Sequence, residues 1–225
     1  MVLEKEDVNR REIYRYLGYK GQEPDETVKK LVDEVLEQLL QIVEPKYLYK
    51  LYQCSIESNH ITFLHSQTGE CFVLESRNLA YTLRGCREAY LMAATLGLGA
   101  DKLLQRYEVL SMAKASVSQA CGAAVVEALC NKAQEEIRQK SLQNGYYLRP
   151  RFSPGYGDLK LETQKELCRQ LDCTKRIGIT LTEDMLMYPT KSVTAIIGLT
   201  REKEDCHIGK CRNCTNTECE FRDEI

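Results

Sequence analysis

The sequence is compatible with an α+β fold, and three observations agree with that class without singling it out. Val28, Leu31, Val32, Val35, Leu36, Leu39, Leu40 and Val43 follow the i, i+3, i+4, i+7 spacing of one apolar helix face. Asn59–Leu64 and Cys71–Leu74 are short apolar runs on either side of Ser66–Gly69, the pattern of a hairpin. Residues from about Ser111 to Gln143 carry a long helical pattern whose first half is rich in Ala, Ser, Gly and Val. Side chains that small let a helix pack closely on its neighbours.

The remaining elements fall between these. A short helix over residues 8–20 is expected to end at Gly18, since glycine takes the left-handed conformation that closes a helix. Pro24 suits the first turn of the next helix and Asp25 and Glu26 its positive dipole end, with a stop before Pro45. Tyr47–Cys54 reads as a strand. Ser76 is a candidate N-cap for a short helix carrying Leu79, Ala80 and Leu83, closed by Gly85. Ala89–Leu98 is an unbroken apolar stretch suited to a buried central strand, although periodicity alone leaves a buried helix open. Asp101 opens a helix through Tyr107 and Leu110. Glu162–Leu171 is helical, and Thr180–Leu186 and Ser192–Leu199 read as paired strands around Tyr188–Lys191. Thr200–Asp205 is charged and linker-like, which divides the chain into residues 1–200 and a tail, 201–225.

Composition excludes several function classes. A formal net charge of −2 gives no basic excess for a nucleic-acid groove. The first residues do not form a signal peptide, and no apolar run approaches a membrane span. A cytoplasmic protein is expected, with no membrane or nucleic-acid partner. With 43% hydrophobic residues a substantial core is expected. The three histidines, His60, His65 and His207, leave little room for histidine-based catalysis. Of eleven cysteines, seven are scattered, and most of these fall in apolar patterns, where a reduced cysteine acts as a small hydrophobe.

The stretch Arg151–Asp158 differs in kind. It places an arginine, a proline, two glycines and a tyrosine between two helical patterns. Arginine presents a planar fork of donors to a carboxylate. Glycine lets a backbone approach a ligand, and tyrosine adds a ring face and a hydroxyl. By itself this could be an ordinary turn. Glu127, at the end of the alanine-rich segment, could equally be a plain helix-surface carboxylate.

Together these pieces resemble the activation domain of cobalamin-dependent methionine synthase. The Arg-x-x-x-Gly-Tyr loop by which that family binds S-adenosylmethionine appears here as Arg151 to Tyr156. The family's Leu-Thr-Glu segment, aromatic-Pro turn and Ser-Val strand match Leu181–Glu183, Tyr188-Pro189 and Ser192-Val193. Its acidic residue in an alanine-rich helix is best matched by Glu127. Order and approximate spacing agree over residues 115–199, which is far more specific than any one piece. The N-terminal half is more loosely similar, and the nearest likeness is to free-standing activation-domain proteins of anaerobic bacteria.

The resemblance implies a C-shaped α+β domain around a curved antiparallel sheet with flanking helices. It implies that S-adenosylmethionine binds at Glu127, Arg151, Ser153, Gly155, Tyr156 and Tyr188, with no catalytic acid or base. It also implies a separate cobalamin-dependent methionine synthase, or related corrinoid protein, as partner and bearer of the cobalamin. An external electron donor of flavodoxin or ferredoxin type would complete the system. The chain departs from the synthase just after Tyr156, where it reads Gly157-Asp158-Leu159, and after the last hairpin, where Arg201–Glu204 replaces paired aromatics.

The last four cysteines, Cys206, Cys211, Cys214 and Cys219, have the spacing C-x4-C-x2-C-x4-C. Four thiolates this close can share one tetrahedral zinc or one iron–sulfur cluster, and His207 could replace one of them. An iron–sulfur cluster would suit a protein serving a one-electron reduction. It also opens a second reading, a redox activator of a different corrinoid methyltransferase with the cluster as the working part; a third, independent of the cluster, is a non-catalytic, ligand-free cap for the partner's cobalamin domain.

Overall fold

The computed structural model describes residues 2–19 and 22–203. In chain order its elements are a 3-10 turn (Lys5–Asp7), α1 (Arg10–Tyr16), α2 (Glu26–Ile42), β1 (Lys46–Glu57), β2 (His60–Leu64), β3 (Cys71–Glu75), α3 (Arg77–Thr82) and β4 (Glu88–Thr95). There follow α4 (Leu98–Leu110), α5 (Met112–Leu142), β5 (Tyr147–Leu148), α6 (Thr163–Leu171), α7 (Cys173–Ile177), β6 (Thr180–Leu181), β7 (Met187–Tyr188) and β8 (Ser192–Thr200). The chain divides into two compact units, one of Met1–Leu48, Ala93–Gln134 and Asp172–Val193, the other of Tyr49–Met92, Glu135–Leu171 and the chain from Thr194 onward.

The first unit is mainly helical. The side chain of Asp25 caps α2 by accepting the Val28 amide at 2.9 Å, so Pro24 precedes the cap rather than sitting in the first turn. The apolar stripe buries Val32, Val35, Leu36 and Leu39 completely, each contributing about 1.5–3 kcal/mol. Helix α4 begins three residues earlier than Asp101, because Gly97 takes φ 74° and caps it. The start of α4 presses on the end of α2: a Cβ at Gly99 would lie 2.2 Å from the Ile42 carbonyl oxygen. Tyr107 joins the same two helices, its hydroxyl donating to Gln38 at 2.6 Å.

The second unit carries the six-stranded sheet, in the order β3-β2-β1-β4-β8-β5. Strands β1 and β2, β2 and β3, and β5 and β8 pair antiparallel. In the hairpin Phe63 faces Phe72 across the strands, and their rings stack at 4.9 Å. Helix α6 is fixed to β1 through Gln170, whose side-chain oxygen accepts from Tyr52 at 3.1 Å and whose carbonyl accepts from Lys50 at 2.7 Å. The α+β class and antiparallel sheet agree with expectation.

One pairing does not. Thr180–Leu186 was expected to pair with Ser192–Leu199. Instead Thr180 and Leu181 pair with Tyr188 and Met187, and β8 joins the large sheet between β4 and β5. The hairpin closes early because the Thr182 amide donates to the Leu186 carbonyl at 2.9 Å across a tight turn in which Met185 takes φ 62°. Strand β8 has almost no polar face: every residue from Thr194 to Thr200 is buried. A strand buried on both faces belongs in the interior of a sheet, not in a small exposed hairpin.

Candidate ligand-binding loop and turn

The loop at Arg151–Asp158 lies in the second unit. At its start, Phe152 exchanges two backbone hydrogen bonds with Ile196 of β8, at 2.9 and 2.8 Å. Just ahead, Arg149 is buried, its amide donating to the Gly198 carbonyl at 2.8 Å and its guanidinium to the Arg84 carbonyl at 3.0 Å. Arg151, Phe152 and Ser153 are half-buried, Pro154 is buried, and Gly155 to Asp158 are exposed. Tyr156 is 62% exposed. Gly155 and Gly157 take φ 88° and 55°, values that glycine adopts without strain. The Gly155 amide donates to the Leu159 carbonyl at 2.8 Å and the Tyr156 amide to the Ser153 carbonyl at 3.2 Å. The loop is therefore closed on itself, and Gly155 would meet a ligand through its carbonyl.

The exposed end is tied down by Asp158. Its carboxylate accepts the amides of Arg77 and Asn78, at 2.8 and 3.1 Å, and the hydroxyl of Ser76. Ser76 in turn accepts the Leu79 amide at 3.0 Å, as an N-cap does. Burial works to raise the Asp158 pKa, but the Ser76 hydroxyl and the two amides outweigh it and hold the carboxyl below its ordinary value.

Two predicted residues lie in the first unit. Glu127 is half-buried on α5, with Val125, Val126, Ala128 and Leu129 around it in sequence all buried. That is deeper than a plain surface carboxylate. Tyr188 is 47% exposed at the end of β7, before a cis peptide bond to Pro189. The turn after it is anchored by Asp101, which is 5% exposed and accepts the Thr190 amide at 3.1 Å together with the Thr190 hydroxyl. Ser192 donates to the Pro189 carbonyl at 2.7 Å and lies 2.8 Å from the Thr95 hydroxyl. Lys191 reaches the Gln119 side-chain oxygen at 2.6 Å, and burial pushes its pKa down, against the pull of Asp101. Its stem crosses α5 at Gly122, where a Cβ would lie 2.8 Å from the lysine Cε.

The predicted metal ligands Cys206, Cys211, Cys214 and Cys219 lie outside the described residues. Among the described residues no group of three or more His, Cys, Asp or Glu side chains could hold a metal ion. Cys54 and Cys121 are buried, and burial pushes both thiols up to about 12, which makes them packing residues, as expected. No helix among the described residues is long and apolar enough to cross a membrane.

The family model described as vitamin B12 dependent methionine synthase, activation domain, matches residues 87–219, more than half of the chain. The chain belongs to this family. The activation-domain assignment also has a structural counterpart. A crystal structure of the MetH reactivation domain bound to AdoHcy superposes with a TM-score of 0.67 and 18% identity, covering 85% of this chain and 74% of that one. At that identity the likeness establishes the fold. No curated protein matches the sequence. All six predicted binding residues fall within the family match.

Asp158, Asp101 and Arg149 were not picked out by sequence reasoning. The signal for Asp158 was present in the departure Gly157-Asp158, together with a Ser76 cap waiting for a partner. Asp101 read only as an acidic residue at a helix start, and nothing local indicated its bond to a turn 89 residues away.

Proposed function

We propose that this protein binds S-adenosylmethionine and supports reductive methylation of cob(II)alamin held by a separate cobalamin-dependent methionine synthase. The observation that carries the reading is membership of the activation-domain family over residues 87–219. In the balanced reaction, one electron from an external donor of flavodoxin or ferredoxin type reduces cob(II)alamin to cob(I)alamin. The cob(I)alamin electron pair then attacks the sulfonium methyl carbon. The carbon–sulfur bond breaks, and methylcobalamin and S-adenosylhomocysteine result. No proton moves, so no general base is required, which suits a chain with three histidines.

The protein's part is to hold the methyl donor in a near-attack position. Arg151 supplies a two-pronged donor to the amino-acid carboxylate. Glu127, matched to the family's acidic helix residue, takes the ammonium, and its charge favours the sulfonium. Ser153, Gly155, Tyr156 and Tyr188 meet the nucleoside. Calorimetry with S-adenosylmethionine and S-adenosylhomocysteine tests this. Arg151→Ala removes charge-assisted hydrogen bonds of about 1.5–3 kcal/mol and should weaken binding roughly 10- to 100-fold. Absence of binding by the wild type, or an unchanged constant in the variant, overturns the assignment. Transfer of a labelled methyl group to the partner's cobalamin tests the larger claim.

For the tail we propose that Cys206, Cys211, Cys214 and Cys219 hold zinc or an iron–sulfur cluster. Their spacing supports this. Metal analysis and the visible spectrum of anaerobically purified protein discriminate. Broad brown absorption indicates iron–sulfur, a colourless zinc-containing sample indicates zinc, and metal-free protein refutes the site. A working redox cluster would make cysteine substitutions abolish activation while S-adenosylmethionine binding survives, and that outcome would favour a redox activator of another corrinoid methyltransferase.

A further inference from the structure

The departure of this chain from the synthase pattern directly after Tyr156 coincides with the densest set of polar ties on the Arg151–Asp158 loop. Asp158 spends both carboxylate oxygens on the start of α3: one takes the Arg77 amide at 2.8 Å, the other the Asn78 amide at 3.1 Å and the Ser76 hydroxyl. Gly157 makes the approach possible. At φ 55° its backbone runs so close to α3 that a Cβ would lie 2.2 Å from Asn78 Nδ2. Leu159 then turns inward, 2% exposed, and its carbonyl receives the Gly155 amide while its own amide donates to the Tyr156 carbonyl at 3.1 Å. At the other end the Phe152–Ile196 pair fixes the loop to β8. A segment whose middle is exposed is thus held from both sides, by the Phe152–Ile196 pair at one end and by the Asp158 carboxylate at the other.

We propose that Asp158 is a positioning residue for S-adenosylmethionine. With Gly157 and Ser76 it clasps the loop to α3, so that Arg151 to Tyr156 meet the methyl donor already in place. This inference rests on the function proposed above. Asp158 does not touch the ligand. It lowers the ordering that binding would otherwise require, and pre-ordering of this kind appears as affinity. Ser76 links the clasp to the cap of α3, since the same oxygen donates to Asp158 and accepts from Leu79. When Asp158 is removed the helix keeps the Ser76 cap, whereas the loop loses its ties to Ser76, Arg77 and Asn78.

The test is calorimetric titration of S-adenosylmethionine into the full chain as wild type, Asp158→Ala and Asp158→Asn, with amide hydrogen exchange and thermal melting on the same samples. Asp158→Ala should weaken binding at least tenfold and speed exchange at Gly155 and Leu159. The Leu79 amide should keep its protection and the melting temperature should move by no more than a few degrees. Asp158→Asn retains one oxygen for Ser76 and Asn78 and loses the one facing Arg77, so it should lie between the other two in affinity and exchange. Wild-type affinity in both variants overturns the clasp while leaving the binding function intact. Weakening that tracks lost Leu79 protection and a large melting shift, without graded recovery in Asp158→Asn, also overturns it, because Asp158 would then act only as a cap. Failure of the wild type to bind overturns the proposed function, and the positioning role with it.

Discussion

Replacing Gly157 by alanine perturbs the loop at the point where its geometry is most demanding. Gly157 has φ 55°, and a left-handed L-residue costs about 1–2 kcal/mol relative to glycine. The new Cβ would lie 2.2 Å from Asn78 Nδ2, 3.1 Å from Cγ and 3.2 Å from Cβ. Asn78 is exposed, so its amide can swing aside, at about 0.5–1.5 kcal/mol for an off-rotamer side chain. In the other direction, alanine narrows the unfolded ensemble by about 0.4–1 kcal/mol. The net is a destabilisation of about 2 kcal/mol, or roughly 4–8 °C in Tm for a chain of this size. Adding Asn78→Ala removes the collision and leaves the dihedral cost, so the double variant should recover to about 1 kcal/mol. Asn78→Ala alone should stay within about 0.5 kcal/mol of wild type. Urea unfolding of the four proteins closes a double-mutant cycle with an expected coupling of about 1 kcal/mol. Strict additivity, or a Gly157→Ala variant as stable as wild type, would refute the contact with Asn78 and the close approach built on it.

Other perturbations follow from the same geometry. Gly99→Ala gains about 1 kcal/mol of helix propensity, but its Cβ would sit 2.2 Å from a backbone oxygen of α2, so the variant should be less stable by about 1–2 kcal/mol in urea. A gain in stability would show that the two helices can separate there. Asp101→Ala removes the acceptor for the Thr190 amide and hydroxyl and should cost about 1–2 kcal/mol, with Asp101→Asn milder, by thermal melting. Asp158 has a depressed folded-state pKa, so its contribution is complete above the unfolded value of about 3.9 and is lost as pH falls through the lower folded value. The stability gap between wild type and Asp158→Asn should therefore narrow on acidification below about pH 4, read by circular dichroism; a gap that widens would contradict the sign.

Local chemistry was legible in the sequence wherever one short-range effect decided the outcome. The Ser76 cap, the end of α1 just before Gly18 with φ 90° and the β2–β3 hairpin followed from capping, glycine geometry and short apolar runs around a turn. The start of α4 was missed because Gly97 capped it through a left-handed backbone rather than a side chain. The place of β8 was missed because two neighbouring apolar runs look like a hairpin, while pairing is decided by which strand can be buried on both faces. That is a tertiary property. In the proposed site, residue types carried Arg151 and Tyr156, and the family pattern carried Glu127 and Tyr188. The carboxylates that hold the loop and the turn depend on partners 80 or more residues away.

Those two carboxylates solve one physical problem twice. Gly155–Asp158 in one unit and Tyr188 and Thr190 in the other are exposed, so apolar burial can do little to fix them. Each segment is instead held by an aspartate accepting an amide and a hydroxyl or a second amide: Asp158 at the start of α3, Asp101 at Thr190. A charge-assisted tie of this kind is directional, contributes about 1.5–3 kcal/mol, and leaves the apolar core untouched when it is lost. Stability and ligand readiness should therefore separate by residue. Truncating Leu36 or Leu39, both fully buried, should lower stability by about 2–5 kcal/mol with little change in the affinity of the molecules that remain folded. Loss of either aspartate should cost less stability, about 1–2 kcal/mol, and should loosen an exposed segment within a chain that still melts cooperatively.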